Sequence, residues 1–199
     1  MKDLFMIDVK LSKLESYYAV GQLPNHDKIK QKTLDLLDDA VYFKLRANDD
    51  YYSDSITKLD WDDARDFERP WVKFFKPHIQ NYLDKLSFAL GYQSAIIDEI
   101  WFQQYIKLDS HGWHTHGSNF TGVYYLEFDE QSPKTEIIEP SNQNRKIVPD
   151  IKEGSVLIFP SYIIHRAPQI HNDIRKTIIS FNYVVDLINK DTLNKINSN

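Results

Sequence analysis

The chain has 199 residues, 42% hydrophobic and 14% aromatic, which is enough for the core of one domain or of one domain with an appendage. Its formal net charge is -5 at pH 7, and no cluster of Lys and Arg forms a basic face, so nucleic acid is not expected as a partner. The lack of cysteine excludes disulfides, thiolate metal sites and cysteine nucleophiles, and it fits a cytoplasmic protein.

The N-terminal sequence is interrupted by charged residues too early for a signal peptide, and no apolar run reaches the ~20 residues that span a bilayer. We therefore expect a cytoplasmic protein with no membrane partner. The sequence leaves the oligomeric state open, and a homodimer is one option. Four tyrosines could lie in the core or in an interface, and we expect them in the core: Tyr17, Tyr18, Tyr51 and Tyr52.

Residues 1–95 are predicted to be mainly helical. A short apolar run at residues 4–9 predicts an edge strand, and Asn25 is a suitable cap for a helix whose apolar residues recur at helical spacing. Residues 46–60 are rich in Asp, Ser and Tyr, and they predict a loop.

A second helical region follows, and Asp60 could cap it. Its apolar positions between residues 71 and 90 fit a period near 3.6. Pro70 and Pro77 are expected to divide or kink this helix, and Gly91 is expected to end it. The two helical regions are predicted to form a layer over one face of a sheet.

From Ile96 onward the hydrophobic period changes to two, which indicates strands. In the first strand Ile100 and Phe102 share one face, and Trp101 and Gln103 share the other. Further short strands are predicted at residues 120–128, 137–138, 147–148, 156–159 and 177–187.

This order of elements predicts an α+β chain. Short strands follow two helices without a repeating strand–helix rhythm, which favours an antiparallel barrel or sandwich. We expect a single domain over residues 1–199, with the sheet core at residues 96–188 and a tail at residues 189–199.

Three histidines are candidate metal ligands. His114 and His116 lie two residues apart, so on an extended chain their side chains point to the same face. His165 follows a buried strand and is the best candidate for a third ligand. Three convergent ligands leave positions on a metal open for catalysis. His111 could replace one of these ligands, and Asp109 is close enough in sequence to supply a carboxylate.

An ordered set of motifs resembles the 2-oxoglutarate- and Fe(II)-dependent oxygenases. The set consists of His114-x-His116, the Tyr-Tyr-Leu run that follows, Phe-Pro-Ser before His165, and Arg175-x-Thr177. The resemblance is closest to the prolyl-4-hydroxylase-like branch, and within it to small bacterial and phage oxygenases. It covers roughly residues 96–186.

The resemblance implies a fold, cofactors and roles for residues. The fold would be a double-stranded β-helix (jelly roll), and the cofactors would be Fe(II) and 2-oxoglutarate, with O2 as cosubstrate. His114, His116 and His165 would hold the iron. Arg175 would bind the distal carboxylate of 2-oxoglutarate, because a guanidinium forms two parallel hydrogen bonds with a carboxylate. Thr177 and Tyr125 would support the same carboxylate.

One position departs from the family pattern. His116 stands where the common triad of two histidines and one carboxylate has an acid. A site with three neutral ligands carries more positive charge, and three imidazoles also suit Zn(II). Asp109 or Glu127 could instead supply the missing carboxylate.

The resemblance implies a dioxygenase that hydroxylates an unidentified substrate, either a peptidyl residue such as proline or a small molecule, and releases succinate and CO2. Polar residues 129–150 are a candidate lid. Two other functions are compatible with the same barrel fold. One is a cupin-type metal protein, such as an isomerase or a zinc enzyme, and the other is a non-catalytic interaction module.

Overall fold

The computed structural model describes residues 14–48 and 53–198, with the backbone alone at residues 46–48 and 53. Within these ranges the elements are β1 (Ala19–Gln22), α1 (His26–Asp38), β2 (Phe43–Asn48), β3 (Ser53–Leu59), a 3-10 turn (Trp61–Asp63), α2 (Pro70–Ala89), β4 (Ala95–Tyr105), β5 (His111–His114), β6 (Phe120–Glu127), β7 (Glu136–Ile138), β8 (Lys146–Ile147), β9 (Ser155–Pro160), β10 (His165–Ala167), β11 (Lys176–Val185) and α3 (Lys190–Asn197).

The strands form two antiparallel sheets. The major sheet has seven strands in the order β1-β9-β6-β11-β4-β3-β2, and the minor sheet has four in the order β5-β10-β7-β8. Apolar residues of both sheets share one buried cluster, which includes Val123 and Leu157 from the major sheet and Ile137 and Ala167 from the minor sheet. The sheets therefore face each other, as in a jelly roll.

The major sheet is buried on both faces. On β11, Ile179 and Phe181 belong to the cluster that packs under the helices, while Ile178 belongs to the cluster between the sheets. A Cβ on Gly122 of β6 would lie 2.1 Å from the ring of Phe181, so glycine is required for this close approach. Alternation along β11 thus decides which side chains face the interior between the sheets.

The two long helices cover the outer face of the major sheet, as predicted. Helix α1 begins after Asn25, which has a left-handed backbone (φ 64°) and forms no side-chain cap hydrogen bond. Helix α2 begins at Pro70 and runs through Pro77 without division. An internal proline costs about 3 kcal/mol. Burial of large side chains such as Trp71 and Phe75 contributes roughly 1.5–3 kcal/mol each, which offsets that cost.

Asp60 does not cap α2, because its carboxylate is used elsewhere. It accepts hydrogen bonds from the Trp71 indole N–H (2.9 Å) and the Phe102 backbone N–H (2.8 Å), and it pairs with the Arg69 guanidinium. Burial raises the pKa of Asp60 to about 6, and the Arg69 charge opposes that rise.

The predicted loop at residues 46–60 is wrong, because strands β2 and β3 occupy most of it. Ile56 and Leu59 are buried in the cluster between the sheets, and β3 pairs with β4. These two apolar residues stand in a polar sequence, so the strand depends on its place beside β4. Similarly, the expected tail contains helix α3, capped by Asn189. The edge strand predicted at residues 4–9 lies outside the described residues, as do Tyr51 and Tyr52.

Candidate metal centre and cosubstrate pocket

Three histidines meet between the minor and major sheets. His114 ends β5 and lies opposite His165 on the paired strand β10. His116 follows β5, where its backbone N–H donates to the Ser161 carbonyl (2.9 Å). One nitrogen from each imidazole lies within 4.8 Å of the other two. This arrangement fits a single metal ion bound on one side by protein.

Backbone carbonyls orient two of the three imidazoles. His114 Nδ1 lies 2.7 Å from the Gly112 carbonyl oxygen, and His165 Nδ1 lies 3.0 Å from the Ile163 carbonyl oxygen. Because a carbonyl only accepts, each Nδ1 carries the proton, and each Nε2 keeps its lone pair for a metal.

Burial favours the neutral form of these histidines. It lowers the pKa of His116 to about 3 and lowers the pKa of His114, while at His165 burial and the neighbouring His114 hold the pKa well below the ordinary value. Neutral imidazole is the form that binds metals, so the triad needs no deprotonation at neutral pH.

The other candidate ligands are placed elsewhere. His111 stacks on His114 with ring centroids 3.8 Å apart and lies outside the triad. Asp109 is buried and accepts hydrogen bonds from the Ser55 hydroxyl (2.7 Å) and the Thr57 and Ile106 backbone N–H groups (3.0 Å each). Its role in the structure is to fix the chain around β3 and β4.

The structure does not bring Arg175, Thr177 or Glu127 to the histidines. Arg175 lies at the surface, where its Nε and a terminal nitrogen donate to the two carboxylate oxygens of Glu127 (2.7 and 2.9 Å). The Thr177 hydroxyl donates to the same carboxylate (2.9 Å). The expected guanidinium–carboxylate fork exists, but its carboxylate belongs to the protein. Glu127 is therefore also engaged away from the metal triad.

Lys176, the residue after Arg175, points to the opposite face of the sheet. Lys176 is 1% exposed, and its alternating neighbours Ile178 and Ser180 line the cavity that holds the three histidines. Among the described residues its one hydrogen-bond acceptor is the Pro133 carbonyl (3.1 Å), and its ammonium lies over the rings of Tyr105 and Phe128. Burial lowers the pKa of Lys176 to about 8.

Two tyrosines, Tyr105 and Tyr125, belong to the same buried cluster as Phe128, whose ring lies under the Lys176 ammonium. The Tyr125 hydroxyl is 2.6 Å from the Thr135 hydroxyl, and Thr135 lines the histidine cavity. The buried Tyr105 hydroxyl has no hydrogen-bond partner in the described part of the chain. A buried ammonium with one neutral acceptor, next to an unsatisfied hydroxyl, fits an anionic ligand with several oxygen atoms. The residues present therefore fit a metal ion together with a carboxylate compound.

Sequence reasoning missed Thr135 and Tyr105, which line this cavity, and Lys176, whose ammonium lies over the Tyr105 ring. The alternation of β11 was the available signal, because it separates Lys176 from Arg175 and Thr177. Both faces of that strand are apolar and buried, so its pattern alone does not tell which face meets the histidines.

Comparison with known proteins agrees with this geometry. Residues 99–182 match the model of a family described as "Putative 2OG-Fe(II) oxygenase". The predicted family resemblance is confirmed. The matched region of this 2OG-Fe(II) oxygenase family contains His114, His116, His165 and Lys176. The family description names the expected cofactors, Fe(II) and 2-oxoglutarate, which confirms their prediction at the level of the family. No curated protein matches the chain by sequence.

Solved structures share the fold at low identity. AviO1 from Streptomyces viridochromogenes Tue57 gives a TM-score of 0.64 at 11% identity, over 86% of this chain and 90% of that chain. HygX from Streptomyces hygroscopicus, solved with nickel and 2-oxoglutarate, gives a TM-score of 0.60 at 11% identity, over 84% of this chain and 82% of that chain. A Pseudomonas putida prolyl-4-hydroxylase gives a TM-score of 0.56 at 11% identity, over 84% of this chain and 92% of that chain.

These structures confirm the predicted α+β fold with a double-stranded β-helix core. They extend the likeness beyond the region of the family match, into the N-terminal helices and strands. In the described part of the chain, no helix is long and apolar enough to cross a bilayer. Together, the family match and the fold support an oxidoreductase similar to the 2OG-Fe(II) oxygenases.

Proposed function

We propose that this protein is an Fe(II)- and 2-oxoglutarate-dependent dioxygenase that hydroxylates a C–H bond of a primary substrate. His114 and His165 would hold the iron through Nε2, and His116 through one of its ring nitrogens. When bound, iron and 2-oxoglutarate would react with O2 to supply the oxidant, with 2-oxoglutarate released as succinate and CO2. The protein's own part is to orient the two groups and to exclude water from them.

The observation that carries the proposal is the buried Lys176. We assign the distal carboxylate of 2-oxoglutarate to its ammonium, in place of Arg175, whose guanidinium is satisfied by Glu127. A buried lysine without a carboxylate partner costs several kcal/mol of desolvation, and a bound dicarboxylate would supply the missing charge. The Tyr125 and Tyr105 hydroxyls would donate to the same carboxylate.

The three-histidine site raises a second candidate, a zinc enzyme or isomerase of the cupin type. Three neutral imidazoles suit Zn(II), and the described ligand cluster contains no carboxylate. Such a function has no use for Lys176 in the adjoining cavity, which is why we prefer the oxygenase.

The chain is also proposed to act as one domain. Strands β1–β3 from its first half join the sheet that carries Lys176, and β3 packs directly against β4. Removing the first half would open the wall of the site.

Succinate formation tests the proposed function. With Fe(II), O2 and 2-oxoglutarate, and with ascorbate as the electron donor in place of the primary substrate, the parent protein is expected to form succinate. Lys176→Met and His165→Ala are expected to abolish it, while Arg175→Met is expected to retain it. Succinate formation that survives Lys176→Met and stops in Arg175→Met would reject the assignment of the anchor.

A further inference from the structure

A second cleft opens beside the histidines, and Lys176 is not among the described residues that line it. It has a volume of about 210 Å³ and is walled by β3, β5 and the turn after β3. His111, His114 and His116 form its floor, and its apolar walls are Leu45, Ile56, Leu59, Trp61 and Trp101. It is the described cavity that gives a molecule outside the cosubstrate pocket access to the metal triad.

Two tryptophans form an aromatic wall of this cleft. The Trp61 and Trp101 rings have centroids 6.4 Å apart, and Trp101 lies 5.7 Å from the ring of His116. Trp61 is 53% exposed, whereas Trp101 is 3% exposed. A planar apolar group that rests on Trp61 would thus be directed along Trp101 toward the metal ligands.

The lining of the cleft carries charge of one sign, which is negative. Among the described residues that line it, Asp54 is the one with a full charge, and no Lys or Arg lines it. The cleft therefore offers a negative charge and no positive side chain to an incoming molecule.

The Asp54 carboxylate is held in place with one oxygen available. Its Oδ1 accepts a hydrogen bond from the Gly112 backbone N–H (2.7 Å). Its Oδ2 lies 3.9 Å from His111 Nε2, beyond hydrogen-bond length, and no donor in the described part of the chain bonds to it. The side chain is 15% exposed, so this oxygen is sheltered but reachable from the cleft.

We propose that the primary substrate carries a cationic amine next to a planar apolar group. The amine pairs with Asp54 Oδ2, and the apolar group lies on Trp61 and Trp101. The ring wall also favours a cation by cation–π attraction. Anionic compounds are disfavoured, because Asp54 repels them and no Lys or Arg among the described lining residues offsets that charge. This inference rests on the proposed function, since it requires that the reaction occur at the triad on the cleft floor.

Binding of three matched probes tests the inference without turnover. The probes are 2-phenylethylammonium, the neutral 2-phenylethanol and the anionic 3-phenylpropionate. Each is titrated into protein loaded with Zn(II) as a redox-inert metal and with saturating 2-oxoglutarate. Binding is followed through the indole N–H resonances of Trp61 and Trp101. Trp71 and Trp113, which do not line the cleft, serve as internal references.

We expect the ammonium probe to bind at least about tenfold more tightly than the carboxylate probe, with the alcohol between them. Asp54→Asn keeps the shape and the Gly112 hydrogen bond, and it should reduce this ratio to within about twofold. Glu99→Gln removes the same charge outside the cleft and should leave the ratio unchanged. Trp61→Ala should weaken all three probes.

Equal or reversed preference in the parent protein would overturn the inference, as would an unchanged ratio in Asp54→Asn or probe shifts that miss Trp61 and Trp101. Calorimetric titration of the same samples with 2-oxoglutarate reports separately on the proposed function. If 2-oxoglutarate fails to bind, the oxygenase proposal fails, whatever the probes show. If it binds and the probes show no charge preference, the substrate class alone is wrong.

Discussion

Arg175 and Lys176 are adjacent in the chain and lie on opposite faces of the major sheet. Arg175 pairs with Glu127 at the surface, while Lys176 is buried between the sheets beneath Tyr105 and Phe128. One position along β11 thus separates a surface ion pair from a buried charge that lacks a partner. The proposed cosubstrate anchor, Lys176, differs from the one predicted from sequence, Arg175, by this single position.

Replacing the buried lysine should weaken ligand binding and stabilise the fold. Lys176→Met removes a charge-assisted contact worth about 1.5–3 kcal/mol, so 2-oxoglutarate affinity should fall roughly 10- to 150-fold. It also removes the desolvation cost of the ammonium, so the free energy of unfolding of the ligand-free protein should rise by roughly 1–3 kcal/mol. Calorimetry and urea unfolding measure the two effects.

The neighbouring arginine is the matched control for that variant. Arg175→Met removes an exposed ion pair and should lower the free energy of unfolding by about 0–1 kcal/mol, with no effect on 2-oxoglutarate affinity. If Arg175→Met loses 2-oxoglutarate binding and Lys176→Met keeps it, the assignment of the two residues is reversed.

The affinity for 2-oxoglutarate should depend on pH through Lys176. Its pKa is lowered to about 8 by burial, so the ammonium is charged below pH 8 and loses its proton above it. A bound carboxylate raises that pKa, so binding takes up a proton above pH 8 and weakens as pH rises. Between pH 7 and pH 9 the dissociation constant should increase about tenfold. The increase should be absent in Lys176→Met, and an equal increase there would assign it to another group.

The lowered pKa of Lys176 should also make the free energy of unfolding rise with pH, whereas it makes the affinity for 2-oxoglutarate fall. In the unfolded chain the lysine has its ordinary pKa of 10.5, so between pH 8 and pH 10.5 the unfolded state binds more protons than the folded state. The contribution of Lys176 to the free energy of unfolding should therefore become more favourable over this range. Comparison of parent and Lys176→Met unfolding curves at pH 7.5 and pH 9.5 isolates it.

Two buried histidines with different roles can be distinguished by metal titration. His165→Ala removes a triad member and should weaken Zn(II) or Fe(II) binding by at least about 100-fold. His111→Ala removes an imidazole that stacks on His114 but lies outside the triad, and it should change metal affinity by less than about tenfold. Competition with a coloured chelator measures both. Equal losses in the two variants would place His111 among the ligands.

The Tyr125 hydroxyl should make a smaller contribution. Tyr125→Phe leaves Lys176 and Tyr105 in place and removes one hydroxyl, so 2-oxoglutarate affinity should fall roughly 3- to 10-fold. The fold should be little affected, because the variant loses only the hydrogen bond to Thr135 and keeps the ring packed in the core. A loss as large as that of Lys176→Met would make Tyr125 the main anchor.

The metal triad could be predicted from sequence because its geometry is largely local. His114 and His116 share a face of one short segment, and the strand before His165 is strongly apolar. The cosubstrate anchor could not be predicted in the same way. Its position depends on how β11 pairs with β6, where the register shifts between Thr177 and Ile178, and this pairing is not visible in either strand alone.

The substrate-side wall was missed for a related reason. Strands β2 and β3 contain few apolar residues, and they are strands because β4 offers them an edge to pair with. Asp54 in that stretch looks like a loop residue in the sequence and becomes the charged group of a cleft in the fold. Long-range pairing, rather than local propensity, decides both cases.

Anaerobic titration of the Fe(II)-loaded protein with 2-oxoglutarate tests the central claim most directly. The visible charge-transfer absorption of the iron–2-oxoglutarate complex should appear in the parent protein and in Arg175→Met. It should require much higher 2-oxoglutarate in Lys176→Met, and it should be absent in His165→Ala. If protein shown to contain iron gives no such absorption at any 2-oxoglutarate concentration, the account of the site as an oxygenase centre is contradicted.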